Sequence, residues 1–299
     1  MTKKLIIGAV IVVLLAGGVY FFMKGTSEVV VTPGDENGQA NTDENGETPV
    51  VDKTKTVIGK SAGGRDIVAY HYGEGTKEIL FVGGIHGGYE WNTALVAYEA
   101  MDFLKMNPTV VASGTKVTVI PVLNPDGLAK VVSSTGKFAA GSVNTSQTVQ
   151  VSGRYNGNTV DLNRNFDCDW QTSAKWQDKT VSGGTAVFSE PEAVAMKTYI
   201  ETNKPVAAVV WYSSAGGVFA SNCHGGVLPE TLEITNVFGK ASGYPVYKQF
   251  NFYEITGDMV NWLAKIGTPA ISVLLTDHTN TEWTKNEAGI RAILNYYAK

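Results

Sequence analysis

The sequence predicts an α/β fold in three layers, α/β/α, with helices on both faces of a mixed, mostly parallel central sheet. Three observations carry that expectation. Residues 78–82, 116–122, 206–212 and 270–275 are runs of strand length that are apolar almost throughout, as strands covered on both faces are. Patterns of helical period separate these runs, which is the alternation of an α/β domain. Finally, His86, Asn124 with Asp126, Ser213 and Asp277 fall just after the runs, at the strand ends where such folds gather ligands.

Taken in order, the chain opens with Lys3 and Lys4, an uncharged apolar run over 5–23, and Lys24. Nineteen residues at helical rise cover roughly 28 Å, about one hydrocarbon core. The run is longer than the core of a cleaved signal peptide, so residues 1–24 read as an uncleaved signal anchor, a single transmembrane helix. The lysine pair favours a cytoplasmic N-terminus. The expected location is therefore the cell membrane, single-pass, with the C-terminal domain extracytoplasmic.

Residues 25–52 hold seven acidic residues, no basic and no aromatic ones, and the string Asp35-Glu-Asn-Gly returns at Asp43. Such a segment cannot bury enough surface to fold and reads as an acidic disordered linker. From residue 53 to residue 299 there are 21 basic and 21 acidic residues. A balanced domain offers no electrostatic footprint for nucleic acid. Cys168 and Cys223 match no zinc spacing; a disulfide is the expectation for an extracytoplasmic pair, with two buried thiols as the alternative.

Helices are expected over 91–105, 193–201, 229–241, 256–265 and 286–297. The second carries a start signal, with Ser189 as cap, Pro191 in the first turn and Glu192 completing a capping box. Residues 131–152, rich in Ser, Thr, Gly and Val, read as a long loop. Arg154 and the string Val160-Asp-Leu-Asn-Arg-Asn-Phe166 follow it. Clustered Arg and Asn suit a carboxylate-recognising loop, because a guanidinium fork pairs bidentately and an amide adds donors. An ordinary polar turn has the same composition.

His86 and Glu90 are metal-ligand types, but a catalytic zinc takes three protein ligands and keeps one position for water. On spacing alone a structural histidine is the commoner case. Order changes that weighting. Gly83-Gly-Ile-His-Gly-Gly-Tyr-Glu-Trp91, Leu123-Asn-Pro-Asp-Gly127, Arg154, Val160-Asp-Leu-Asn-Arg-Asn165, Ser189-Glu-Pro-Glu192, Gly257-Asp258 with Trp262, and Leu275-Thr-Asp277 follow one another. In that order they resemble the zinc carboxypeptidases of the carboxypeptidase A type, from about residue 53 to 297, and the Asp-Leu-Asn-Arg-Asn string is their most specific part.

The resemblance implies a metallocarboxypeptidase-like domain with zinc as cofactor and a peptide with a free C-terminus as partner. It implies that His86 and Glu90 are zinc ligands and that Arg154 contacts the substrate carbonyl and stabilises the oxyanion. Asn163 and Arg164 would grip the C-terminal carboxylate, and Tyr253, nine residues before Trp262, would close over the substrate.

Three departures qualify this. Three residues rather than two separate His86 from Glu90. Ser213 stands where the third ligand, a histidine at a strand end before a serine, is expected. Leu274 stands where the general-base glutamate is expected, and leucine can neither take nor give a proton. The expectation is a membrane-anchored, extracytoplasmic domain that recognises peptide carboxylates as a catalytically impaired pseudopeptidase. The alternative is an active zinc carboxypeptidase acting on peptides or cell-wall peptides.

Overall fold

The computed structural model describes residues 54–134 and 136–299. The expected anchor over 1–24 and linker over 25–52 lie outside the described residues. Among the described residues, no helix is long and apolar enough to cross a membrane.

The strands are β1 (Lys55–Lys60), β2 (Asp66–Tyr72), β3 (Lys77–Val82), β4 (Thr115–Ile120), β5 (Ser173–Trp176), β6 (Lys179–Ser182), β7 (Ala207–Ser213), β8 (Gly217–Ala220), β9 (Val246–Tyr247) and β10 (Ala270–Leu275). The α-helices are α1 (Trp91–Met106), α2 (Pro125–Val132), α3 (Gln147–Ser152), α4 (Pro191–Asn203), α5 (Pro229–Ser242), α6 (Met259–Lys265) and α7 (Trp283–Tyr297). Eight strands form one sheet in the order β1-β2-β4-β3-β7-β10-β8-β9, and β5 and β6 form a separate hairpin.

The four central strands, β4, β3, β7 and β10, run parallel to one another. They are the four apolar runs expected from the sequence, and both of their faces are covered. Alternation along each strand divides the side chains. Leu80, Val82, Val210, Tyr212 and Leu274 face Met196 and Tyr199 of α4 and Trp262 and Leu263 of α6. Phe81, Val209, Trp211, Val273 and Leu275 face Phe103 of α1, Phe238 of α5 and Ile293 of α7. The result is the expected three layers.

The flanking strands are antiparallel to the centre, β2 on β4 and β8 on β10. Neither they nor the two edge strands stood out in the sequence: β1 carries exposed residues along most of its length and β9 has two residues. Local signals also misled. Residues 131–152 are not a continuous loop, since α2 ends at Val132 and α3 fills the far end. The capping box at Ser189 does not form. Glu190 is the N-cap without a side-chain bond, the Ser189 hydroxyl donates to the Glu190 carboxylate, and Glu192 is drawn instead to the Ala62 amide and Asn156. Helix α6 starts at Met259 rather than near residue 256, because the Asp258 side chain caps it by accepting from the Asn261 amide.

Candidate active site

The turn after β3 carries His86 and Glu90. Backbone bonds from Leu123 to Gly83 and from Asn124 to Gly84 lash it to the turn after β4, so two adjacent parallel strands deliver one crevice. Gly87 has φ +48°, and a Cβ there would lie 2.6 Å from the Gly153 carbonyl oxygen. Only glycine fits this approach.

His86 and Glu90 are buried, with Nδ1 of the imidazole 2.9 Å from Oε1 of the carboxylate. The two are not aligned for a hydrogen bond, and neither ring nitrogen has a hydrogen-bond partner. Asp161 Oδ1 stands 3.6 Å from Nε2 on the other side of the ring. Burial first, and then the Arg154 guanidinium, push the His86 imidazole down to about 4, so the ring is neutral at pH 7.

Arg154 leaves the end of α3 and is 1 % exposed. Its Nε donates to Asp161 Oδ2 at 2.8 Å, and Nη1 is 3.8 Å from Glu90 Oε1. The Asn124 side chain fixes the arginine's backbone by donating to its carbonyl oxygen at 3.1 Å. The Trp176 ring of the β5–β6 hairpin lies over the guanidinium, 4.4 Å from its carbon. Nη2 has no partner.

The Asp-Leu-Asn-Arg-Asn string forms a 3₁₀ turn capped by Asp161, which accepts from the Asn163 amide. Asn163 donates to Asp258 and accepts from the Met259 amide and the Tyr212 hydroxyl. Arg164 donates through Nε to the Lys175 carbonyl at 2.8 Å and through Nη1 to the Asn163 carbonyl, which leaves a buried Nη2 without a partner. Arg164 and Asn163 line a cavity of about 60 Å³ together with Phe250, Tyr253, Val260 and Leu274. Tyr253 stacks edge-on against Phe250. Burial raises its phenol, against the lowering pull of Arg164 and Arg154.

The strand β7 requires a correction. The sequence expectation placed Ser213 at the third-ligand position, but successive residues of a strand face opposite ways. The side chain facing His86 is Tyr212, with ring centroids 5.7 Å apart. Ser213 turns its hydroxyl to the far face, 3.2 Å from Asn92 Oδ1 and 2.9 Å from His278 Nδ1, and gives the site only its amide, which donates to Glu90 Oε2 at 3.0 Å. Leu274 pairs with Tyr212 across the sheet and shares its face.

These residues do not fit a catalytic zinc. His86 and Glu90 converge as two ligands would, but the third side chain on their face is a phenol. Burial, then the Asp258 and Glu90 carboxylates, raise that phenol well above its ordinary value, and a protonated phenol is a poor ligand beside imidazole and carboxylate. Among the described residues, the cluster of three His, Cys, Asp or Glu side chains with ligand atoms within 4.8 Å of one another is Cys168, Asp169 and Cys223. Its two sulfurs are joined in a disulfide.

Among the described residues the neighbouring acids and histidines are engaged elsewhere, His278 through Nδ1, 2.9 Å from the Ser213 hydroxyl, and through its ring, 4.7 Å from that of Tyr89. Asp258 caps α6 and holds Asn163. Asp277 closes its own turn by accepting from Thr279 and Asn280, and His224 lies exposed beside Asp169. Sequence reasoning missed three members of the site. Asp161 had a signal, as the carboxylate within the most specific string. Tyr212 and Trp176 had none, since a strand's facing and a hairpin's landing point are tertiary facts.

A family profile described as zinc carboxypeptidase matches residues 43–222. A gamma-D-glutamyl-L-diamino acid endopeptidase of Lysinibacillus sphaericus is 26% identical over 222 residues, which are 66% of this chain and 54% of that protein. The chain thus spans about half the length of that relative. Among solved structures, a murein-tripeptide amidase from Escherichia coli O157 aligns at TM-score 0.57 and 19% identity over 81% of this chain and 91% of that one. The carboxypeptidase A of Helicoverpa armigera aligns at TM-score 0.61 and 20% identity over 82% and 67%. At those identities the two structural likenesses carry the fold.

Proposed function

We propose that this chain, which belongs to the zinc carboxypeptidase family, is a pseudopeptidase that holds the free C-terminal carboxylate of a peptide without cutting it. The observation that carries the reading is a contrast within one crevice. The donors for a carboxylate grip are present: Arg164 lines the cavity with Asn163 and Tyr253, and among the described residues the buried Nη2 atoms of Arg164 and Arg154 have no partner. A buried cationic donor without a partner costs free energy that a carboxylate would recover through a charge-assisted bond. The chemistry is not kept, because Tyr212 and Leu274 occupy the face from which a third ligand and a base would act.

Arg164, Asn163 and Tyr253 are the ligand-binding residues in this reading. Arg154 supports the ligand's last carbonyl, and Asp161 keeps Arg154 charged and aimed. Two of the similar proteins, an endopeptidase for gamma-D-glutamyl-L-diamino acids and a murein-tripeptide amidase, make cell-wall stem peptides the first ligands to try. An anchor over residues 1–24 would hold the domain outside the cytoplasmic membrane, and protease added to intact cells should then remove it.

The convergence of His86 and Glu90 supports a second reading, an active zinc carboxypeptidase, and one assay separates the two. The full-length chain is incubated with zinc and a panel of peptides, and products are read by mass spectrometry. The pseudopeptidase reading expects unshortened peptides and zinc well below one equivalent. Release of C-terminal residues would establish the second reading instead.

A further inference from the structure

We propose that the β5–β6 hairpin is a movable roof over the two arginines, closed by Trp176, and that it must lift before the last carbonyl of a bound peptide reaches Arg154. This rests on the carboxylate-binding reading for its purpose, but its geometry stands apart from it. Arg154 and Arg164 are each 1 % exposed; Arg164 lines the cavity and Arg154 does not, so Arg154 is closed to a ligand from solvent. What covers it is the hairpin. The Trp176 ring lies on the Arg154 guanidinium and meets the Tyr89 ring edge-on at 4.8 Å, while the Lys175 carbonyl accepts from Arg164 Nε.

The hairpin is built to move as a unit. Ala174, Trp176 and Val181 form a small apolar cluster of their own, packed on Tyr89, Val151, Tyr155 and Tyr253 and separate from the two cores of the large sheet. Its other residues face solvent. Two strands alone are marginally stable, so the hairpin lies at the low end of local stability. Its base is fastened, by Asp161 N to Ser182 O, Gly183 N to Thr172 O and Trp170 Nε1 to Gly183 O. Its tip carries no such ties except through Lys175 and Trp176. Lifting the tip therefore breaks the Lys175–Arg164 hydrogen bond and parts the Trp176 ring from the Arg154 guanidinium and from its apolar neighbours, Tyr89 among them; the oxygens of a bound ligand would replace the contacts to the two guanidinium groups.

Chemical modification of arginine by phenylglyoxal tests this without any ligand. The rate at Arg154 is read by mass spectrometry in the full-length wild-type chain and in the Trp176→Ala and Trp176→Phe variants. Arg65 and Arg291, each with a side chain 43 % exposed, serve as references. Arg154 should react about tenfold faster in Trp176→Ala, the factor expected for losing a desolvated cation–π contact, and Trp176→Phe should fall between. Equal Arg154 rates in the three proteins would overturn the roof, as would fast wild-type modification matching the references. A second arm measures the association rate of a peptide with a free C-terminus, expected to rise by a similar factor in Trp176→Ala. Faster modification without peptide binding in any variant would leave the roof standing and remove the carboxylate reading.

Discussion

Asp161 joins the two halves of the site, since one carboxylate holds Arg154 and the other side of its fork faces His86. Replacing it with asparagine leaves a fully buried guanidinium without its nearest counter-charge. Breaking a buried pair in this way costs about 3–5 kcal/mol, so urea unfolding of Asp161→Asn should show a loss of that size. At Arg164 the loss should fall on binding as well as folding, because its two bonds to backbone carbonyls go with the charge. Arg164→Gln removes a charge-assisted donor worth about 1.5–3 kcal/mol, and titration should show free-acid peptides weakened at least tenfold. Tyr212 and Leu274 set a third prediction. The double variant Tyr212→His, Leu274→Glu should take up close to one equivalent of zinc by elemental analysis, whereas Ser213→His, Leu274→Glu should not, because residue 213 faces Asn92 and His278. His86, Glu90, Arg154, Asn163 and Arg164 could be named from the sequence because they belong to the ordered set, and Tyr253 because it precedes Trp262 by nine residues; the structure brings them to one side of the sheet without testing their roles. The facing of Tyr212 was not legible, because Tyr-Ser and Ser-Ser adjoin and a slip of one residue reverses a strand's faces.

At the scale of elements, the loop carrying Asn163 and Arg164 is held from two sides. The Cys168–Cys223 disulfide ties it to the segment after β8 across a sequence separation of 55 residues. Chain entropy assigns such a closure about 4 kcal/mol, so reduction should lower the urea midpoint by a corresponding amount. Gly257 holds the second side, donating to the Cys168 carbonyl and accepting from the Phe166 amide. Its φ is +66°, and a Cβ would lie 2.2 Å from the Arg164 carbonyl oxygen. Gly257→Ala should cost at least about 1 kcal/mol from the left-handed backbone alone and should weaken peptide binding through the displaced arginine. The central strands were legible because burial on both faces writes a continuous apolar run. Edge strands and the β5–β6 hairpin are half-polar, and their places are set by partners distant in sequence. The Ser189 box failed for a related reason: Asn156 and Asn165 compete for the same side chains.

Across the described residues, the sheet and its two helical layers reproduce the fold of solved carboxypeptidases, while protein donors meet the carboxylates of the crevice. Glu90 is met by Arg154 and the Ser213 amide, and Asp161 by Arg154. Ligand recognition that rests on guanidinium and amide donors needs no metal. Calorimetric titration of the full-length chain, stripped with a chelator, tests this most directly, using one wall-type peptide as free acid and as amide. The account predicts binding of the free acid, loss of binding on amidation, and no change when zinc is restored. Equal binding of both forms, or binding and cleavage that appear only with zinc, would contradict it.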